Sequence, residues 1–313
     1  MDFKDFPFGQ DDNDRRLDKI LRRFLPDHSL SEVYALIRKG LVRINGKKTK
    51  ENYRITKGDI LNIAEFLCQN ISETSQKILS EKPKNQSKID INKLIVFKNE
   101  HLLILNKPYD IKVHGDSDSL DIAVKAWYEK NISNDSISFR PGPLHRLDRK
   151  TTGLLVFSLS SQGARWFTEN IENHTIRKTY LGIMEGSFTD KEQWEDKICK
   201  VEDQQGFVTV KKDEINGKNS ITNAKPVKYE EIKGEKTTLT EYDIETGRTH
   251  QIRAQSSIHG FPLFGDTAYG AKKQKGLSRD FYLHAWKLHF PKNNPLNVPE
   301  TVTCNPDPDF SFV

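Results

Sequence analysis

Residues 69–88 read QNISETSQKILSEKPKNQSK, a run of Ser, Lys, Glu and Asn with little apolar content. Such a stretch buries too little surface to offset the entropy of ordering it, so it reads as a flexible polar linker. Set at 67–88, the linker divides the 313 residues into a short unit before it and a long one, 89–313, after it. Length alone points the same way, at about 150 residues per folding unit. The chain must therefore build two cores.

Charge follows the same division. The first fourteen residues hold five Asp and Lys4, a net of −4, and read as an acidic N-terminal tail. Residues 15–50 hold eleven Lys or Arg against Asp18, Asp27 and Glu32, a net of +8 in a chain of +5 overall. A small basic unit beside a nearly neutral large one suggests a nucleic-acid handle on a catalytic body. A solvated charged surface accounts for the charge equally well, so charge alone leaves both readings open.

In the small unit, Leu17, Ile20, Leu21 and Phe24 have the spacing of a helix burying one face, with Arg15, Arg16, Lys19, Arg22 and Arg23 opposite. Ser29 and Glu32 have capping-box spacing and open a second helix carrying Val33, Leu36 and Ile37, which Gly40 stops. Val42 and Ile44 alternate as a strand before Asn45-Gly46, a strong hairpin signal. Tyr53, Ile55, Ile60, Leu61 and Ile63 supply the returning strand. This order, carried by RRLDKILRRFL and SEVYALIRKGLVRINGKKTK, resembles the S4 RNA-binding domain over residues 15–66. The resemblance implies that Arg38, Lys39, Arg43, Lys47 and Lys48, on the second helix and the turn after it, face RNA phosphates.

The long unit is dominated by short β-like runs, among them HLLILNK, GLLVFSLS, RKTYLGIMEG and TTLTEYDIETG, with helical spacing near 121–131 and 164–173. Strand and helix do not alternate regularly, so an α+β domain on a mixed, mostly antiparallel sheet is expected, preceded by the small α+β unit. Phosphate-loop, dinucleotide and zincin motifs are missing from the sequence. No run approaches the ~18 apolar residues of a membrane helix. The N-terminus lacks the basic and apolar regions of a signal peptide. Cys68, Cys199 and Cys304 form neither a disulfide framework nor a zinc pattern, which suits a reducing cytoplasm. A monomer without membrane partners is the default.

Two strings concentrate chemistry. In PGPLHRLDRKTTGLLVFSLS (141–160), Asp148 stands between Arg146 and Arg149, just before an apolar strand. Flanking cations favour the ionised carboxylate, ready to act as nucleophile or base, although most such clusters are ordinary loop ion pairs. In TGRTHQIRAQSSIHGFPLFGDTAYG (246–270), Arg248, His250, Gln251, Arg253, Asp266 and Tyr269 crowd together. A lone His250 in such a setting is more often structural than catalytic.

HRLDRKTTGLLVF and GRTHQIRAQ…GFPLFGDTAYG are similar to the two most diagnostic motifs of the RluA-type pseudouridine synthases. LLILNKPYDIKVHG (102–115), RKTYLGIMEG (177–186) and FYLHAWKLHF (281–290) resemble three more, in the family's order. A preceding S4 domain is typical of the members acting on large-subunit ribosomal RNA. The resemblance implies isomerisation of uridine, without metal or organic cofactor, in a base flipped from its stack. By match to the motifs, Asp148 is the essential nucleophile or base, Arg253 pairs with it, and Tyr180 stacks on the uracil. Arg146 is implied to fill the vacated space or hold a phosphate, and Leu283 to pack beneath the base. Arg248 and His250 complete the RNA-contacting set. Lys107-Pro108 would shape the cleft floor and Asp266 would brace its own loop. Thr152, Gln255 and His259 depart from the family's usual residues, which bears on RNA contacts and leaves the Asp, Tyr and Arg set intact. The competing functions are a non-catalytic RNA-binding or ribosome-assembly factor and a synthase acting on transfer RNA. A glycoside hydrolase would normally need a second catalytic carboxylate.

Overall fold

The structure, a computed structural model, describes residues 1–68, 89–133, 136–202, 208–308 and 310. The expected linker lies, over 69–88, outside the described residues.

The small unit follows its local signals closely. Helices α1 (Leu17–Phe24) and α2 (Leu30–Lys39) bury Leu17, Ile20, Leu21, Val33 and Ile37 in one core. Ser29 caps α2, accepting from the Glu32 amide (3.3 Å) while Glu32 reaches back to the Ser29 amide (2.7 Å). Gly40 ends the helix in the left-handed region, at φ 73°. Asn45 and Gly46, at φ 52° and 74°, form the tight turn after β2 (Val42–Ile44). The strand that returns beside β2 is β3 (Ile60–Ala64); Tyr53 and Ile55 lie outside it.

The first fourteen residues do not form a tail. Phe3–Pro7 is a strand, β1, antiparallel to β3, so the small sheet runs β1-β3-β2. Asp12 is fully buried and accepts from Ser136 Oγ (2.7 Å), Ser138 Oγ (2.6 Å) and the Ile137 amide (3.2 Å) of the long unit. Asp11 accepts from the Ser161 amide (2.7 Å), and Ile137 packs against the small core. The acidic residues are thus hydrogen-bond acceptors for loops distant in sequence, a role their charge run does not display.

In the long unit β4 (Ile95–Lys98) and β5 (Leu102–Lys107) precede helix α3 (Leu120–Asn131). Next come β6 (Gly142–Pro143), β7 (Thr152–Ser158), helix α4 (Ser161–Glu172) and β8 (Arg177–Glu185). Strands β9 (Glu192–Glu202), β10 (Val208–Lys212), β11 (Lys218–Ile232) and β12 (Glu235–Ile244) lead to α5 (Gln251–Ile258). The chain closes with β13 (Leu283–His289) and β14 (Thr301–Thr303). Among the described residues these strands form one sheet of eleven, ordered β10-β9-β11-β12-β8-β13-β7-β5-β4 with β6 and β14 paired beside it. Every pairing is antiparallel except β13 with β7, as a mixed, mostly antiparallel sheet requires. All seven residues of β7 are buried, consistent with a central strand covered on both faces. Gly153 lets β7 and β13 meet: a Cβ there would stand 2.3 Å from the Ala285 carbonyl oxygen. Asp148 precedes this central strand and α5 follows β12, so the two motif-bearing loops meet at one cleft.

Candidate active site

The Asp148 loop is held from both sides. His145 Nε2 accepts from the Val156 amide of β7 (3.2 Å), and the ring stacks on Phe167. Burial, helped by the charge of Lys178, pushes the His145 pKa down to about 3, so the ring stays neutral at ordinary pH. From β5, Lys107 donates to the carbonyls of Pro108 (2.9 Å), Ile111 (2.8 Å) and Arg149 (2.8 Å). Burial pushes its pKa down to about 7, against the charges of Asp148 and Asp110. Lys107 is fully buried and acts as a three-way clamp on the cleft's backbone.

The basic side chains nearest Asp148 in space are not the pair flanking it in sequence. Arg149 turns away to Asp110, with Nη2 and Oδ2 2.9 Å apart. Arg146 is exposed at the mouth of a cavity of about 440 Å³ that Asp148 also lines. The near partners come from α5: Arg253 Nη1 lies 3.8 Å from Asp148 Oδ2, and His250 Nε2 lies 3.7 Å from Oδ1.

Arg253 is immobilised before it reaches Asp148. Asp266, 2% exposed, takes Nε at 2.7 Å and Nη2 at 2.9 Å in a forked pair. The rings of Tyr269 and Phe281 lie 4.7 and 4.3 Å from the guanidinium carbon. Only Nη1 is left toward Asp148. Asp266 therefore aims Arg253, and the expectation that it merely braces its own loop is corrected by this pair.

His250 heads α5 in the left-handed region, at φ 51°. A non-glycine residue held there stores strain that its surroundings must offset. Its Nδ1 is 2.8 Å from the Tyr269 hydroxyl, which already accepts from the Val210 amide at 2.9 Å. The hydroxyl is placed to donate to Nδ1, an arrangement compatible with the ring proton on Nε2, the nitrogen that faces Asp148. Burial lowers the His250 pKa, opposed by Asp148 and assisted by Arg253, so the ring is neutral at neutral pH.

Tyr180, 6% exposed on β8, forms the aromatic wall. Burial and the Asp148 charge raise its pKa, so the phenol keeps its proton. Leu283 on β13 is buried beside it. Asp148, Tyr180, Arg253, Leu283, Arg146, Arg248 and His250 all line one recess, so the structure brings together the seven residues expected on the long unit, while the five expected on the small unit lie outside it. Sequence reasoning missed Lys178, which shares the larger cavity. The two-residue spacing from Tyr180 was the available signal.

The departures are internal. Thr152 Oγ1 is 2.8 Å from His284 Nδ1 within the sheet. Gln255 donates to Asp196 (2.9 Å) and accepts from Thr222 (2.6 Å). His259 pairs with Asp196 at 3.0 Å and stacks on Trp194. Thr152 thus ties β7 to β13, and Gln255 and His259 lock α5 onto the sheet.

On the small unit, Arg38, Lys39, Lys47 and Lys48 are exposed, as expected of phosphate contacts. Arg43 is turned inward, donating to the Gly40 carbonyl (3.0 Å) and covering the Phe3 ring at 4.3 Å. A cationic crevice of about 530 Å³ lies beside α1, between Arg15, Arg16, Lys19, Arg22, Arg23 and Arg54.

A single carboxylate set beside a fixed guanidinium, an aromatic wall and a nearby basic unit fits an RNA-acting enzyme rather than a two-carboxylate hydrolase. Residues 101–257 match the family described as RNA pseudouridylate synthase, and residues 15–61 match the S4 domain. The ribosomal large subunit pseudouridine synthase C of Vibrio parahaemolyticus is 30% identical over 304 residues, covering 91% of this chain and 89% of that protein. Its Buchnera aphidicola counterpart is 31% identical over 296 residues, covering 89% and 87%. The RNA pseudouridine synthase YlyB of Bacillus subtilis is 27% identical over 291 residues, covering 91% and 89%. The fold is also that of human RNA pseudouridylate synthase domain containing 1, with TM-score 0.54 and 24% identity over 69% of this chain and 83% of that one. This chain belongs to the RNA pseudouridylate synthase family and carries an N-terminal S4 domain.

Proposed function

We propose that this enzyme isomerises one or a few uridines of large-subunit ribosomal RNA to pseudouridine, with Asp148 as the reacting carboxylate. The observation that carries the chemistry is Asp148 facing the one free edge of an Arg253 held by Asp266 and two aromatic rings. That arrangement sets the carboxylate against a guanidinium of fixed direction, as an oriented nucleophile or base requires. The named activity of the relatives supports the ribosomal target.

In the reaction the C1′–N1 bond breaks and a C1′–C5 bond forms, while C5 loses a proton and N1 gains one. Nothing is released and the RNA mass is unchanged. The uridine reaches Asp148 by leaving its stack, at a cost of a few kcal/mol. Tyr180 and Leu283 receive the uracil, and Arg146 and Arg248 at the mouth hold the displaced strand. The exposed cations of the small unit add salt-dependent affinity. The reading keeps an S4 unit from residue 15 and a catalytic unit over 89–313, and moves the start of the expected 67–88 linker to 69, because Leu67 and Cys68 are buried in the small core. It also keeps a monomer in the cytoplasm, where the free thiols of Cys68, Cys199 and Cys304 remain reduced. Among the described residues no helix is long and apolar enough to cross a membrane.

The test maps carbodiimide-dependent reverse-transcription stops in ribosomal and transfer RNA from cells with and without the gene. Loss of one or a few stops in large-subunit RNA is expected. Stops lost only from transfer RNA would move the target, and survival of every stop, with an inert purified protein, would end the reading.

A further inference from the structure

We propose that Lys178, with Arg146 and Arg248 at the cavity mouth, forms a subsite for the RNA phosphodiester adjoining the uridine at Asp148. The proposal rests on the RNA-modifying reading above and specifies how the strand is gripped.

Strand β8 places Lys178 and Tyr180 two residues apart, hence on the same face and about 7 Å apart along the strand. Both line the cavity of about 440 Å³ that contains Asp148. With the base against Tyr180, Lys178 is displaced by a distance on the scale of one nucleotide. The Lys178 amine abuts the loop carrying Arg248: a Cβ on Gly247 would lie 3.3 Å from Nζ. A small residue there keeps space open in front of the ammonium.

Lys178 is half-buried, yet among the described residues its side chain forms no hydrogen bond or ion pair. Glu245, also on the cavity wall, accepts instead from Asn223 (3.2 Å). Desolvation lowers the Lys178 pKa, and no neighbouring carboxylate opposes it. By contrast, Lys125 and Lys272 on the surface each have a carboxylate partner. A desolvated cation without an anion is unfavourable in the free protein. An anion arriving with the substrate removes that penalty, and RNA supplies one per nucleotide. His145, neutral on the same wall, leaves Lys178 to carry the charge. The competing role is packing, in which the aliphatic stem covers Ile176 and Ile244 and the amine has no partner at any stage.

The test compares full-length wild type, Lys178→Met and Lys178→Arg on an unmodified transcript of large-subunit ribosomal RNA. Methionine keeps the stem and removes the charge; arginine restores the charge. Affinity is measured by filter binding across roughly 50 to 200 mM salt. Lys178→Met should flatten the log–log salt slope by about 0.7–0.9. It should raise KM about tenfold, with kcat changed by less than about threefold. Lys178→Arg should restore both the slope and KM. A wild-type slope and KM in Lys178→Met, or equal damage from arginine and methionine, overturns the subsite. Should Lys178→Met fail to fold, amine acylation of the wild type decides, with the modified lysines mapped by mass spectrometry. RNA should protect Lys178, and equal labelling with and without RNA overturns the proposal. Binding is read separately from turnover. A transcript bound through Lys178 but never isomerised would therefore leave the subsite standing and defeat the ribosomal synthase reading.

Discussion

The cations of the small unit and those of the cleft differ in what holds them. Arg38, Lys39, Lys47 and Lys48 stand exposed on a helix end and a turn. The Arg253 side chain is 10% exposed and fixed on three sides, by Asp266 and by two rings. Exposed cations release counterions from RNA, so each adds affinity that salt screens and none needs exact placement. A guanidinium fixed in a low-dielectric cleft acts through direction, and a small displacement is expensive in rate. Under the proposed function, charges of one type serve attraction in one region and chemistry in the other.

Asp148→Asn offers the largest break in that division. It should lower turnover by at least about 10³-fold while RNA affinity changes little, measured as isomerisation and filter binding on the same transcript. Substantial retained turnover would remove Asp148 from the centre of the mechanism.

Asp266→Asn tests whether direction, and not charge alone, matters at Arg253. Loosening the fork should cut kcat by about 10–100-fold with a smaller change in KM. Stability should fall by about 3 kcal/mol, because a buried guanidinium loses its ionic partner. An unchanged kcat would show that Arg253 needs no aiming.

Lys107→Met removes the clamp under the catalytic loop, leaving three carbonyls without their donor, and should cost about 2–4 kcal/mol in urea unfolding. The pH dependence has a definite sign. The unfolded chain holds the Lys107 proton up to about pH 10.4. The native protein releases it near 7, so the desolvation penalty is full below that pH. Wild-type stability should therefore gain a component that rises from about pH 7 toward 10, which Lys107→Met lacks. Parallel curves for the two proteins would count against a desolvated lysine.

Replacing Arg38, Lys39, Lys47 and Lys48 together by Gln should flatten the salt slope by up to about 3 while leaving kcat within about twofold. Arg43→Gln sharpens the contrast within the small unit. It should hardly change the slope but lower stability by about 1 kcal/mol, because that side chain covers Phe3. If Arg43 instead flattens the slope as its exposed neighbours do, the inward reading fails.

Local features of the fold were legible because they arise from neighbours in sequence. The Ser29–Glu32 box, the Gly40 stop and the Asn45-Gly46 turn need only a few consecutive residues, and each stands where its chemistry demands. Strand β1 was hidden because Phe3 and Phe6 are embedded among charges, and pairing with β3 spans almost sixty residues. In the cleft, the motif residues were legible by resemblance and do line one recess. Their partners were not. Arg149, adjacent to Asp148 in sequence, bonds Asp110, whereas the nearest cation to Asp148 through Arg253 comes from α5.

By itself the sequence determined the division into two units, the helices of the basic one, the mostly antiparallel character of the other, and the motif residues that line the cleft. Those properties follow from composition, periodicity and short motifs, which act over a few residues. Tertiary structure alone decided that Asp266 aims Arg253, that Tyr269 meets Nδ1 of His250, and that Lys107 clamps the Asp148 loop. It also decided that Asp11 and Asp12 join the two units. Buried polar groups must find partners wherever the packed chain brings them, and that pairing depends on distances that chain order does not encode locally.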